Sequence, residues 1–180
     1  MKKSLPYFLI IIILLSAGYF VAAKYKKTSQ TPKGDKPSFV PQEQNPAPAA
    51  LTSYTHPDLG FTFSLSKNFS VGTFPEGEGE IVLVKSIGDG TSEAQIYITE
   101  FDEPGPLTKK RILKDQPDLG LQNAVEVSVG GEPAVAFESS QADGQKTREV
   151  WFVHAGHLYQ ISAKIENQQL ASDMLSNWNW

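Results

Sequence analysis

An uncharged apolar run near the start of the chain, Leu5 to Ala23, limits what the remainder can fold into. Lys2 and Lys3 precede it, and no charge interrupts it. As a helix it would be about 28 Å long, close to the ~30 Å of a bilayer's hydrocarbon core. It lacks the alternation of faces expected of a water-soluble core helix. Tyr7 and Tyr19 lie near its ends, where amphipathic rings favour the interface. Residues 1–23 are therefore expected to form a transmembrane signal anchor whose partner is the lipid bilayer, through residues 5–23. The run exceeds the roughly 7–15 apolar residues of a signal peptide core, which favours a retained anchor over cleavage after Ala23. Lys24, Lys26 and Lys27 would on their own stay cytoplasmic. The short Lys-Lys start is an export pattern, however, and long domains translocate despite flanking charge, so the expected location of the remainder is extracytoplasmic.

Residues 24–50 read as a disordered spacer. Pro32, Pro37, Pro41, Pro46 and Pro48 punctuate polar residues, and isolated apolar ones such as Phe39 and Val40 cannot offset ordering entropy. A coil of this length spans about 30 Å on average. The charge divides at the same boundary. Seven lysines against Asp35 and Glu43 leave residues 1–50 at +5, while nine Lys/Arg against eighteen Asp/Glu leave 51–180 at −9. So acidic a region repels nucleic acid, which is expected to be no partner. The chain has no cysteine, which excludes disulfides, thiolate nucleophiles and Cys-based zinc sites.

From Leu51 onward, aromatic and β-branched clusters alternate with turn residues. Pro57-Asp58-Leu59-Gly60 is a turn. Phe61, Phe63 and Leu65 alternate with Thr62 and Ser64, as in a strand. Phe69 to Phe74 is a short strand, and Ile81 to Val84 is an apolar run typical of an interior strand. Around Ala94 to Phe101, Ile96 and Ile98 take one face and Tyr97, Thr99 and Phe101 the other. Val125, Val127 and Val129 alternate up to Gly130-Gly131, and Ala134 to Phe137 puts small residues on one face and large ones on the other. Val150-Trp151-Phe152-Val153 and Leu158-Tyr159-Gln160-Ile161 flank Ala155-Gly156. A two-residue loop there pairs Phe152 with Tyr159 and Val150 with Ile161. Both faces of this hairpin are apolar, so both should be covered. Thr108 is expected to cap a helix over Lys109 to Asp115, and Asn167 a final helix whose stripe is Leu170, Met174, Leu175 and Trp178. This order predicts an α+β domain over 51–180, an antiparallel β-sheet sandwiched by helices. The alternative is an all-β sandwich with a C-terminal helix.

The motif Tyr54-x-x-Pro57-x-x-Gly60-Phe61-x-Phe63, then Phe69, resembles the opening of the PsbP-like family. So does the late run Val150-Trp151-Phe152-Val153 … Gly156-x-Leu158-Tyr159-x-Ile161, with an aromatic end at Trp178. The family takes its name from an extrinsic subunit of photosystem II, and many bacterial relatives have no link to photosynthesis. The resemblance implies an antiparallel sheet between helices. Ser66 stands where such domains usually have proline, and Phe69 where tryptophan is common. No photosystem role and no metal-binding residue is carried over.

Chemistry-bearing patterns are few. His154-x-x-His157 is the nearest approach to a metal pair, but two ligands are not a site, and His56 would have to arrive from another strand to make a third. Solvent-exposed hairpin histidines are the expectation. Glu76, Glu78 and Glu80 alternate with glycines and read as a flexible acidic loop, without calcium-motif spacing. Asp102 and Glu103 lead into the Pro104-Gly105-Pro106 turn. There is no Gly-x-Ser-x-Gly elbow and no phosphate-binding glycine loop. No catalytic, cofactor-binding or metal-ligating residue is assigned, and no cofactor is expected. The expected role is a membrane-tethered, non-enzymatic binding or accessory domain contacting an envelope protein or a small ligand. The rivals are a hydrolase using His56, His154 or His157, and a structural subunit of an envelope complex.

Overall fold

The computed structural model describes residues 50–88, 90–140 and 144–180. The expected membrane segment, and the spacer up to residue 49, lie outside the described residues. Nine strands and two short α-helices follow in the order β1 (Leu51–Thr55), β2 (Thr62–Ser66), β3 (Phe69–Glu76), β4 (Gly79–Ser86), β5 (Glu93–Glu100), α1 (Lys109–Asp115), β6 (Gln122–Val129), β7 (Glu132–Ser140), β8 (Lys146–His154), β9 (His157–Lys164) and α2 (Gln168–Ser176). β3 to β9 form one seven-stranded antiparallel sheet in the order β3-β4-β5-β9-β8-β7-β6. β3, β4 and β5 run as a meander. The chain then crosses to the far edge through α1, and β6 to β9 return until β9 closes against β5.

One face of this sheet carries the main core. Val82, Val84, Ile96, Phe152, Tyr159 and Ile161 meet Phe61 and Phe63 from the β1–β2 segment and Met174 and Trp178 from the C-terminal segment. Burying this much apolar side-chain area is the main force holding the layers together. The opposite face holds a smaller cluster, in which Leu107 and Ile112 of the crossover cover Val135, Phe137 and Trp151. The alternation Ala134/Ala136 against Val135/Phe137 thus serves two different cores.

The sheet-and-helix reading holds in outline, with one correction. β1 and β2 pair only with each other, in a separate two-stranded sheet. That hairpin shares with α2 the layer expected to be helical, because its buried row Phe61, Phe63, Leu65 stacks across the large sheet instead of extending it. Two helix details also change. Asn167 occupies the N-cap position of α2, but its side chain makes no capping bond; it is buried and donates from Nδ2 to the Thr91 carbonyl at 3.2 Å. α2 ends at Ser176, so Trp178 joins the core from beyond the helix. Thr108 does cap α1, accepting from the Arg111 amide at 3.2 Å. Of the three cations at the start of α1, unfavourable for the helix dipole, Arg111 is offset by carboxylates, bridging Glu103 and Asp115.

The β8–β9 hairpin has the expected register, Phe152 opposite Tyr159 and Val150 opposite Ile161. Its loop residues Ala155 (φ +48°) and Gly156 (φ +79°) are both left-handed, the type I′ geometry that matches sheet twist. Alanine carries a Cβ penalty there that asparagine largely avoids. Ala155→Asn is expected to raise stability by about 1 kcal/mol, visible as a higher urea midpoint with an unchanged slope. An unchanged or lower midpoint would refute this.

Candidate functional site: an acidic cleft beside a buried histidine

The cleft begins with a turn. After β1, His56 to Gly60 folds back on itself, with the His56 amide donating to the Phe61 carbonyl at 2.9 Å and Gly60 to the His56 carbonyl at 3.1 Å. The imidazole finishes this turn from inside. Its Nδ1 accepts from the Leu59 amide at 3.1 Å and, more weakly, from Asp58 at 3.4 Å. A ring nitrogen that accepts backbone N–H carries no proton, so in the neutral ring the proton sits on Nε2. Nε2 lies 3.2 Å from Glu80 Oε1, off the N–H axis, so the two atoms are close without hydrogen-bond geometry. The ring stacks on Phe61 at 4.8 Å and is only 1% exposed.

Beside this turn lies a cleft of about 420 Å³. Asp58 and Leu59 of the turn form one wall, with Thr73 and Pro75 of β3, Glu78 to Glu80 at the β3–β4 turn, Ile98 to Glu100 of β5, and His157 of β9. The acidic run expected to be a flexible loop is instead part of a regular hairpin. Glu76 lies opposite Gly79, and the turn between them is Gly77-Glu78. A side chain at position 79 would collide with the Ile98 carbonyl, so glycine lets β4 pass close to β5 here.

Four acidic residues, Asp58, Glu78, Glu80 and Glu100, thus line one concavity from three parts of the chain, the turn after β1, the β3–β4 hairpin and β5. Their field extends to the tyrosines around them. Burial, then the Glu80 charge, pushes the Tyr159 hydroxyl up to about 12. Tyr97 is raised by burial, then by Glu76 and Glu78. Tyr54 is raised by burial and by Glu80, against the lowering effect of its hydrogen bond to Thr73.

The three histidines hold three different positions. His56 is a core residue of the turn. His154 and His157 face each other across the β8–β9 hairpin. The expectation that these two are solvent-exposed hairpin residues is corrected for both, which are half-buried, and most plainly for His154. Its ring stacks on Trp180 at 3.6 Å and 10°, and Nδ1 lies 2.8 Å from Glu132 Oε1. The chain's last aromatic residue covers it, a contact too remote in sequence to be read from spacing. His157 lines the cleft, and its Nδ1 donates to the Ala155 carbonyl at 3.2 Å. Among the described residues, no group of three or more His, Cys, Asp or Glu is placed to hold a metal ion.

Sequence reasoning missed a second polar feature. Glu149, 8% exposed in the smaller core, accepts through Oε1 from Thr147 Oγ1 at 2.7 Å and Ser139 Oγ at 3.2 Å, and through Oε2 from Trp151 Nε1 at 3.2 Å. The sequence signal was Thr147, Glu149 and Trp151 at period two, one face of a strand.

No protein-family profile and no curated protein matches this chain. Among solved structures it is similar to the solution structure of cyanobacterial PsbP (CyanoP) from Synechocystis sp. PCC 6803, at 13% identity and a TM-score of 0.53, over 75% of this chain and 95% of that one. The likeness is one of fold.

Proposed function

We propose that this chain, whose described region shares the PsbP fold, is a membrane-tethered, extracytoplasmic, non-enzymatic accessory domain. It works by surface contact with an envelope protein or a small ligand. The observation that carries this reading is the cleft. Asp58, Glu78, Glu80 and Glu100, placed by strands and tight turns, line one concavity and give it a negative field, which suits recognition of a cationic group by contact. The fold likeness supports it, since PsbP-like domains resemble accessory subunits more than catalysts. The apolar segment over residues 5–23 supports the tether, and the spacer over 24–50 gives the domain room to reach a partner beside the membrane.

The test joins topology and contact. The full chain, produced in its own host, is expected to pellet with membranes and to be digested by protease added outside intact spheroplasts. Crosslinking before solubilisation is expected to recover a defined partner. Glu80→Gln with Glu100→Gln should reduce that recovery several-fold at low salt and leave the membrane fraction unchanged. Full-length chain in the soluble fraction with its leader intact would overturn the tether. Recovery unaffected by the double substitution would overturn the role of the cleft.

A further inference from the structure

The turn that walls the cleft is closed at its corner by one side chain. Nδ1 of His56 accepts from the Leu59 and Asp58 amides, at 3.1 and 3.4 Å, and among the described residues neither amide has another acceptor. The backbone bonds on either side of the corner, His56 to Phe61 and Gly60 to His56, leave these two amides out. The imidazole is buried, stacked on Phe61 and edge-on to Tyr54 at 6.3 Å. Its Nε2 has no hydrogen-bond partner, and Glu80 Oε1 stands 3.2 Å away. The titratable groups around the ring are Glu80 of β4, Asp58 of the turn, Tyr54 of β1 and, across Phe61, Tyr159 of β9. Both tyrosines are raised above their ordinary value, chiefly by burial, so they stay neutral at physiological pH. The charges that face the ring are therefore carboxylates.

A second proton on this ring has one place to go. It would sit on Nδ1 and point at two N–H groups, donor against donor. The closed corner therefore fits the neutral ring alone, whereas a released corner leaves Nδ1 able to carry a proton. The released form binds the extra proton, so falling pH favours it. Glu80 favours the same outcome, because an opposite charge beside Nε2 offsets the cost of keeping a charged ring inside the protein. We infer that His56 is a proton-operated latch: neutral, it closes the Asp58-Leu59 corner; charged, it pairs with Glu80 and lets the corner go. Asp58 and Leu59 line the cleft, so the latch sets whether that wall stands. Release of the corner is a property of the turn itself; its control over binding rests on the reading of the cleft as a contact site.

The experiment uses the full chain, isotope-labelled, in detergent micelles. NMR follows the His56 ring nitrogens and the Asp58 and Leu59 amides as pH is lowered from about 8 to about 5, the range over which an imidazole ordinarily charges. Amide exchange is corrected for the intrinsic effect of pH. Protection at Leu59 is expected to fall about tenfold or more as the ring gains its second proton, while amides of β8 and β9 keep theirs. His56→Asn puts Oδ1 in the place of Nδ1, an acceptor that does not titrate, and should hold the corner across the whole range. Crosslinking at the two ends of the range reads the consequence. Partner recovery should drop several-fold at the acid end for the wild-type chain and hold steady for His56→Asn. Three results would overturn the latch: a doubly protonated ring with Leu59 still protected, a ring still neutral at the acid end, or an equal loss of protection in His56→Asn. A corner that opens as expected, with no partner recovered at either pH, would instead overturn the reading of the cleft and leave the latch standing.

Discussion

Trp178→Ala is expected to cost about 3–5 kcal/mol of stability, a large share of the roughly 5–15 kcal/mol that holds a typical domain folded. The indole stacks on Phe61 at 4.5 Å and 12°, and meets Phe152 and Tyr159 edge-on at 5.6 and 6.1 Å. It therefore joins the β1–β2 hairpin to the centre of the large sheet, and its removal leaves a cavity where three elements meet. The backbone beyond it is tied to β2: the Thr62 amide donates to the Asn179 carbonyl at 2.7 Å, and the Asn179 amide to the Thr62 carbonyl at 3.0 Å. Gly130 makes room for this tail. A Cβ there would stand 2.6 Å from Trp180 Nε1 and 2.9 Å from Trp178 Cδ1, on a backbone at φ +56°. Trp178 Nε1 is buried and has no hydrogen-bond partner among the described residues, so the indole contributes through packing. Trp178→Phe should consequently lose much less than Trp178→Ala. Chemical denaturation of the three proteins measures this, and equal losses for Phe and Ala would show that the ring does not act by packing.

Glu149→Ala should cost about 2–4 kcal/mol at pH 4.5, by orphaning the Trp151 donor and opening a cavity. Burial pushes the Glu149 carboxyl above its ordinary value, and the bonds from Thr147, Trp151 and Ser139 only partly oppose that rise. The folded chain therefore holds a proton that the unfolded chain has released, over the interval between the two pKa values. Stability rises with pH where the unfolded state binds more protons, and here it binds fewer. The contribution is thus full below the ordinary value of 4.5, declines as pH rises, and levels off above the folded pKa. The wild-type chain and Glu149→Ala should converge in stability across that interval. Parallel curves would mean that Glu149 is ionised in the fold throughout.

Several elements were legible because their signals are local. The β8–β9 register follows from apolar alternation about a two-residue loop, and Thr108 caps α1 because capping needs only a hydroxyl three residues before a free amide. Asn167 satisfied the same local rule, but a carbonyl 76 residues away competed for its side chain and won. The cleft was less readable. Asp58, Glu80, Glu100 and His157 have no common spacing, and they meet because β9 inserts beside β5 and a separate hairpin folds over both. The covering of His154 by Trp180 is a contact of the same kind.

By itself the sequence determined the acidic charge of residues 51–180, most of the strands and turns, the two helices, and the need to cover both faces of the late hairpin. These depend on neighbours within a few residues, where backbone sterics and side-chain periodicity act directly. Only the tertiary structure decided that β1 and β2 stand apart as their own sheet, that the crossover leads to the far edge, and that Glu149 rather than a histidine is the buried titratable group of the smaller core. Those outcomes depend on which apolar faces find one another across the whole chain, a competition between long-range burials that no short window of sequence contains.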